Sequence, residues 1–167
     1  HRRVGILAKR MFSTPTNGLV DDVASADLVA QRARVEGARA VLGDAPVVTR
    51  HLNDLDSAAD GARELITRFP DLTAVLCTTD SMALGVMEYC GGRVPHELSV
   101  TGFDGIDTRY GLTTVRQPNR QKGETAAVLL RTLLDGRTPE RERVLLETTF
   151  VPGTTVASVP RASSPAR

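Results

Sequence analysis

The sequence contains no tryptophan, only two cysteines and only two lysines, so almost all of its basic residues are arginines. Cys77 and Cys90 do not form a CxxC pair, which indicates a reduced, cytosolic chain. The 21 basic and 20 acidic residues leave a formal charge of +1, without the basic excess expected of a free-standing nucleic-acid-binding domain. No apolar run approaches the ~18 residues needed to cross a bilayer, which excludes a membrane protein.

Common catalytic signatures are also missing from the chain. The phosphate-binding patterns GxGxxG and GxxxxGK[ST] do not occur, and neither do GxSxG or HExxH. His1, His51 and His96 lie far apart and lack the spacing of metal ligands. We therefore expect no enzymatic activity, no cofactor and no metal site.

Segments of strand and helix character alternate along the 167 residues, enough for about one domain. The predicted strands span 4–8, 46–49, 73–78, 98–102, 112–117 and 144–151. The predicted helices span 28–42, with Val35 and Val41 on its apolar face, and 57–69, 81–90 and 119–135. Residues 9–27 are polar and predict a long loop. This alternation predicts an α/β fold with a parallel, doubly wound sheet. Because the chain opens directly on a strand and has no initiating Met, we expect a fragment of a longer protein.

Ligands of such sheets bind outside the carboxyl ends of the strands. This rule selects the loop from Lys9 onward, the Thr79-Asp80 pair and Asp104, with Arg34 near the start of the first helix. An arginine only donates hydrogen bonds and an ionised carboxylate only accepts them, so the set suits a hydroxyl-rich ligand. Three simpler interpretations stay open: Asp80 as a helix cap, Asp104 as a turn residue, and Arg34 as surface charge.

Several motifs, in this order, resemble a known family. TDSMALG at 79–85 is similar to NDxMALG, PHELSVTGFD at 95–104 to PxD[IV]SVxG[FY]D, and LTTVRQP at 112–118 matches outright. Arg34-x-x-Gly37 and the opening HRRV also fit. Together they resemble the effector-binding core of the lactose-repressor/galactose-repressor (LacI/GalR) transcription factors, from residue 1 to about 157.

The resemblance implies a periplasmic-binding-protein-like fold of type I, represented here mostly by its C-terminal subdomain. Residues 1–110 would form that subdomain. Residues 111–150 would supply a crossover strand, a helix and a return strand that belong to the N-terminal subdomain in the family, and residues 151–167 would return and end in a frayed tail. DNA would be bound only through a helix-turn-helix headpiece that this chain does not include.

The resemblance also implies an effector site for a small sugar or polyol, built from Arg34, Asp104 and Gln117. Thr79 stands where the family has asparagine, and a hydroxyl has one donor where an amide has two. Lys9, Arg10 and Asp56 are further candidates. The helix 81–90, with Met82, Val86 and Met87, and the segment 105–111 would form the interface of a homodimer.

Two other functions share this fold. A sugar-binding protein of a transporter is the main alternative, although the 112–118 segment favours the regulator. An enzyme on a flavodoxin-like sheet would need a catalytic constellation, and the sequence has none. The preferred interpretation is a cytoplasmic regulator that senses a sugar-like effector.

Overall fold

The computed structural model describes residues 1–106, 110–141 and 143–158. Its strands are β1 (Val4–Lys9), β2 (Gly18–Leu19), β3 (Val47–Arg50), β4 (Ala74–Cys77), β5 (Ser99–Thr101), β6 (Thr114–Arg116) and β7 (Thr149–Val151). Its helices are α1 (Val29–Leu42), α2 (Leu55–Arg68), α3 (Asp80–Cys90) and α4 (Asn119–Leu134). Two short 3-10 turns lie at Val23–Ser25 and Gly91–Arg93.

The main sheet has the strand order β2-β3-β1-β4-β5. Strands β3, β1, β4 and β5 are parallel, and β2 pairs antiparallel with the outer side of β3. The connections between the parallel strands run through helices, because parallel neighbours cannot be joined by a tight turn. The expected parallel, doubly wound sheet is confirmed.

Helices cover both faces of this sheet. On one face, α1 packs through Val35 against Ile6 and Val47. On the other face, α2 and α3 pack against Leu7, within a core that includes Leu65. Alternate residues of β1 therefore point to opposite cores, as the two-residue period of a strand requires.

The segment after β5 continues the sheet by parallel pairing with the strand that crosses out of it. Gly102 N donates to Thr113 O at 2.9 Å, and Asp104 N donates to Val115 O at 2.9 Å. The chain comes back at Thr155, which is buried and whose hydroxyl donates to Val100 O at 2.7 Å. The chain therefore leaves the main sheet through residues 112–117 and returns to it at Thr155, and both segments are hydrogen-bonded beside β5.

Three local predictions are wrong. The polar loop 9–27 includes the short strand β2, because Gly18 and Leu19 pair with β3. The predicted strand 144–151 is reduced to β7, since β6 offers only three residues to pair with. Val41 is 86% exposed, because α1 meets the sheet through Val35, Ala38 and Leu42 and Val41 lies to the side of that face.

Among the described residues, no helix combines the length and hydropathy that a membrane span needs. That same part of the chain holds no group of three or more histidine, cysteine or acidic residues arranged to bind a metal ion.

Candidate functional site

The carboxyl edge of the main sheet brings three of the predicted ligand residues together. Arg34, in the second turn of α1, reaches over the end of β4 and donates from Nη1 to Thr78 O at 2.6 Å. Its Nη2 lies 3.6 Å from Asp104 Oδ1, and its Cζ lies 4.2 Å from the centre of the Phe103 ring. The guanidinium is therefore held by a carbonyl, a carboxylate and an aromatic face.

Asp104 occupies an unusual backbone conformation at this edge. Its φ is 123°, a region that residues other than glycine rarely adopt. The backbone is held there because its N–H pairs with Val115 O and its carbonyl accepts from Gln117 N at 3.0 Å. Such conformations persist where the surroundings over-determine them, and they concentrate at ligand sites.

The third predicted residue, Gln117, is bound directly to the second. Gln117 Nε2 donates to Asp104 Oδ1 at 2.5 Å, and Gln117 Oε1 accepts from the Lys122 ammonium group. Lys122 belongs to the first turns of α4 and was missed by the sequence analysis. The available signal was that Lys122 is one of only two lysines in an arginine-rich chain.

The charge state of Asp104 is set by opposing influences. Burial raises the pKa of its carboxyl group above the usual 3.8, while the hydrogen bond from Gln117 and the charges of Arg34 and Lys9 act to lower that pKa. The nearby Asp80 carboxylate raises the pKa of Asp104 further. Desolvation dominates, so the carboxyl group takes up a proton more readily than a free aspartate does.

Asp80, at the start of α3, links two segments of this edge through its carboxylate. It is fully buried, and its two carboxylate oxygens accept from Thr114 Oγ1 at 2.6 Å and from Ile106 N at 2.8 Å. Gly102 makes the approach possible, since a Cβ there would lie 2.4 Å from Asp80 Oδ1. Asp80 therefore fixes the crossing strand and the turn after Asp104, which is a structural role.

Thr79 does not face the open edge as expected. It is only 3% exposed, and its hydroxyl caps α3 by accepting from Met82 N at 3.2 Å. The same hydroxyl donates to Asn53 Oδ1 at 2.8 Å. The expected contact between Thr79 and a ligand is therefore corrected, because the single O–H donor of Thr79 is hydrogen-bonded to Asn53. Asn53 was not predicted from the sequence, since no motif surrounds it.

The three secondary candidates differ in position. Lys9 ends β1 and is half-buried, close enough for its charge to act on Asp104. Arg10 follows it, exposed and with a φ of 35°. Asp56 is exposed in the first turn of α2, and no contact joins it to Arg34, Asp104 or Gln117 within the described ranges.

Two of the cavities formed by the described residues bear on the candidate site. One of about 360 Å³ lies beside Arg34, between α1, β4 and the crossing strand, and is lined mainly by apolar groups such as Leu76 and Phe150. Another of about 640 Å³ lies on the outer side of α2 around Arg50 and Glu64. Of these two, the first adjoins the Arg34 cluster.

Comparison with known proteins finds transcriptional regulators among the relatives of this chain. The family of periplasmic binding protein-like domains matches residues 1–156. The HTH-type transcriptional regulator IpsA of Corynebacterium glutamicum is 40% identical over 173 aligned residues, which include 95% of this chain. The crystal structure of a LacI family regulator from Corynebacterium glutamicum is 39% identical, with a TM-score of 0.86 over 94% of this chain and 50% of that one.

The chain belongs to the LacI/GalR family. It spans about half the length of the relatives that it matches, namely 48% of IpsA and 40% of the regulator Rv3575c of Mycobacterium tuberculosis, which is 36% identical over 78% of this chain. A structure of the regulator CelR in complex with cellobiose is 28% identical, with a TM-score of 0.75 over 93% of this chain and 47% of that one. The predicted periplasmic-binding-protein-like fold is confirmed.

Two of the three residues predicted for a LacI/GalR-type dimer interface are not on the surface. Met82 and Val86 are fully buried in the core between the sheet, α2 and α3, so the prediction that they supply surface is wrong. Met87 is partly buried against the same core. Part of the predicted interface segment 105–111, residues 107–109, lies outside the described residues.

Proposed function

We propose that this chain is the effector-binding part of a DNA-binding regulator, acting as a repressor in the cytoplasm. A small sugar or polyol binds at Arg34 and Asp104 and controls operator binding, and DNA is contacted through a helix-turn-helix headpiece outside this chain. The observation that carries the proposal is the convergence of Arg34, Asp104 and Gln117 at the carboxyl edge of the sheet.

The chemistry of this cluster matches a hydroxyl-rich ligand. The guanidinium of Arg34 only donates hydrogen bonds, whereas the ionised carboxylate of Asp104 only accepts them. A sugar hydroxyl can accept from one and donate to the other at the same time. In the free chain the amide of Gln117 occupies Asp104 Oδ1, so an incoming hydroxyl takes the place of that amide or shares the oxygen with it.

This exchange supplies a route from ligand to conformation. Gln117 stands two residues before α4 and is held by Lys122 within that helix. A ligand that binds Asp104 changes the contacts of the segment entering α4, and it shifts the population of subdomain arrangements by its differential affinity for them. The proposed output is a change in the spacing of the DNA headpieces.

The relatives favour a regulator over the transporter alternative. IpsA, Rv3575c and CelR are all described as HTH-type transcriptional regulators, and the family includes a ribose operon repressor from Haemophilus influenzae, 28% identical over 90% of this chain. CelR is seen with cellobiose, a neutral sugar. That this chain lacks enzymatic activity stays a prediction.

We also propose that the regulator is a homodimer. Of the residues predicted for the interface, Met87 stays a candidate, and the neighbouring Glu88 and Tyr89 are exposed on α3. Exposed Ile106 extends this surface towards the 105–111 segment. The division into subdomains at residues 110 and 150 is likewise a proposal.

The test uses the full-length regulator and its effector-dependent release from DNA. Asp104→Ala and Arg34→Ala should each weaken the response about ten- to hundredfold, since truncating a buried hydrogen bond to a charged group costs about 1.5–3 kcal/mol. Asp60→Ala is the control, because Asp60 is exposed on α2 and pairs only with Arg63 among the described residues. A response of both edge variants that equals the control would contradict the proposal.

A further inference from the structure

Position 79, where the family resemblance implies an asparagine, carries a threonine that is bound to the amide of Asn53. Thr79 is buried, and its hydroxyl accepts from Met82 N and donates to Asn53 Oδ1. Asn53 is exposed and stands in the loop between β3 and α2. The hydroxyl at position 79 therefore cannot offer its donor to a ligand, but it holds an amide that can.

The way in which Asn53 is held leaves its donors available. A primary amide carries one acceptor oxygen and two N–H donors. The oxygen of Asn53 accepts from Thr79 Oγ1 at 2.8 Å, so its Nδ2 points away from the buried hydroxyl. Within the described part of the chain, no acceptor is hydrogen-bonded to that Nδ2.

Asn53 and Arg34 approach the same strand end from opposite sides. Arg34 donates to the carbonyl of Thr78, and Asn53 is bound to the side chain of the next residue, Thr79. Arg34 comes from α1 on one face of the sheet, whereas Asn53 comes from the loop that leads into α2 on the other face. The two donors therefore flank the carboxyl end of β4.

The loop that carries Asn53 is fixed at three successive points. His51 N donates to Asn17 Oδ1 at 2.8 Å, Asn53 is bound to Thr79, and Asp54 caps α2 by accepting from Ser57 N at 2.8 Å. A side chain fixed in this way loses little conformational freedom when it binds a ligand, which favours affinity.

We propose that Asn53 is a specificity-determining residue of the effector site, whose Nδ2 donates to a hydroxyl of the sugar or polyol. Thr79 is its positioning residue. The inference rests on the proposed function and extends it. An asparagine at position 79 would supply N–H donors at the end of β4, whereas Asn53 supplies them from the loop after β3. A ligand hydroxyl must then lie nearer to the end of β3 than an amide at position 79 would require.

The test separates the donors of Asn53 from its role in holding the loop. Asn53→Asp retains an oxygen that can accept from Thr79 but has no N–H group to donate. Binding of cellobiose, lactose, D-ribose and myo-inositol to the full-length regulator is measured by calorimetry, and the tightest binder is carried forward. We expect Asn53→Asp to weaken its affinity about ten- to hundredfold.

Arg68→Gln is the control for the change in charge. It lowers the net charge by one, as Asn53→Asp does, but Arg68 is exposed in the last turn of α2, at the end of that helix away from the Asn53 loop. We expect Arg68→Gln to leave the affinity unchanged. Equal affinities of the Asn53→Asp and Arg68→Gln variants would overturn the inference.

A relocation experiment gives the second arm. Asn53→Ala combined with Thr79→Asn moves the amide to position 79, and asparagine also caps helices well. We expect the double variant to bind more tightly than Asn53→Ala alone, and a double variant that is no better would contradict the inference. Failure of all four compounds to bind the unaltered protein would instead contradict the proposed function.

Discussion

The residues up to the carboxyl edge and the residues after it have similar sequence patterns but different burial. In the first region, α2 buries Ala58, Ala62 and Leu65 against the sheet. In the second region, α4 also carries apolar residues at helical spacing, yet none of its residues is buried, and Leu133 is 58% exposed. Hydrophobic periodicity therefore shows which face of a helix needs cover, but it does not show that this chain supplies the cover.

A small set of polar contacts joins the two regions. Asp80 holds Thr114 in the crossing strand, and Asp104 holds Gln117 just before α4. These contacts lie at the edge where the proposed effector binds. A ligand at that edge acts on the joint between a well-packed region and a region with few internal contacts, where a small free energy can change the arrangement.

The largest expected difference is in the cost of removing a leucine. Leu65→Ala empties part of the core and should lower the free energy of unfolding by about 2–5 kcal/mol. Leu133→Ala removes an exposed side chain and should change it by no more than about 0.5 kcal/mol. Urea unfolding of the chain followed by circular dichroism measures both values.

A comparable cost for the two leucine variants would break the comparison. It would mean that the apolar face of α4 is buried in solution. In a sample that contains only this protein, a second copy of the chain would have to bury it. Repeating the unfolding at several protein concentrations distinguishes this case, because an association makes the midpoint depend on concentration.

Two helical glycines give a second and smaller difference. A Cβ at Gly85 of α3 would lie 2.4 Å from Ala58 Cβ and 2.7 Å from Leu55 O, so Gly85→Ala should destabilise the chain by about 1–3 kcal/mol. Gly123 of α4 has no neighbour within 4 Å of such an atom. Gly123→Ala should therefore stabilise the chain by about 0.5–1 kcal/mol.

Thermal unfolding of the two variants provides the measurement. The expected shifts in the melting temperature have opposite signs. A loss of stability on Gly123→Ala would show that α4 is closely packed in solution, which contradicts the difference in burial drawn above.

Much of the fold follows from local sequence signals. The buried strands and the helices between them were predicted to within a few residues, because continuous apolar strands and helical spacing reflect burial directly. The strand predicted at 144–151 was too long. The alternating pattern extends over all of 144–151, but only Thr149–Val151 of that segment pair with β6. Strand pairing depends on residues distant in sequence, which local patterns do not report.

The candidate site was predicted less completely. Arg34, Asp104 and Gln117 could be selected because each lies in a recognisable motif at a predicted strand or helix end. Asn53 and Lys122 were missed, since their importance arises from single contacts with Thr79 and Gln117 that only the folded chain creates. Met82 and Val86 were misassigned because apolar residues look alike in sequence whether they face a core or a partner.

The smallest expected effect concerns the pH dependence at the joint. Burial raises the native pKa of Asp104 above the usual 3.8, so over a range of pH above that value the folded chain retains a proton that the unfolded chain has lost. The contribution of Asp104 to stability therefore falls as pH rises through this window, by at most about 1.4 kcal/mol per pH unit for one proton.

The side chain of Asp104→Asn cannot ionise, so this variant should lack the pH-dependent part of the free energy of unfolding. Its stability relative to the unaltered chain should therefore increase from the low end of the window to neutral pH. Urea unfolding across this range measures the difference, with Asp60→Asn on the exposed face of α2 as the control. A difference that decreases with pH would mean that the Gln117 and Arg34 contacts outweigh burial, and the joint would then be stabilised by the ionised carboxylate.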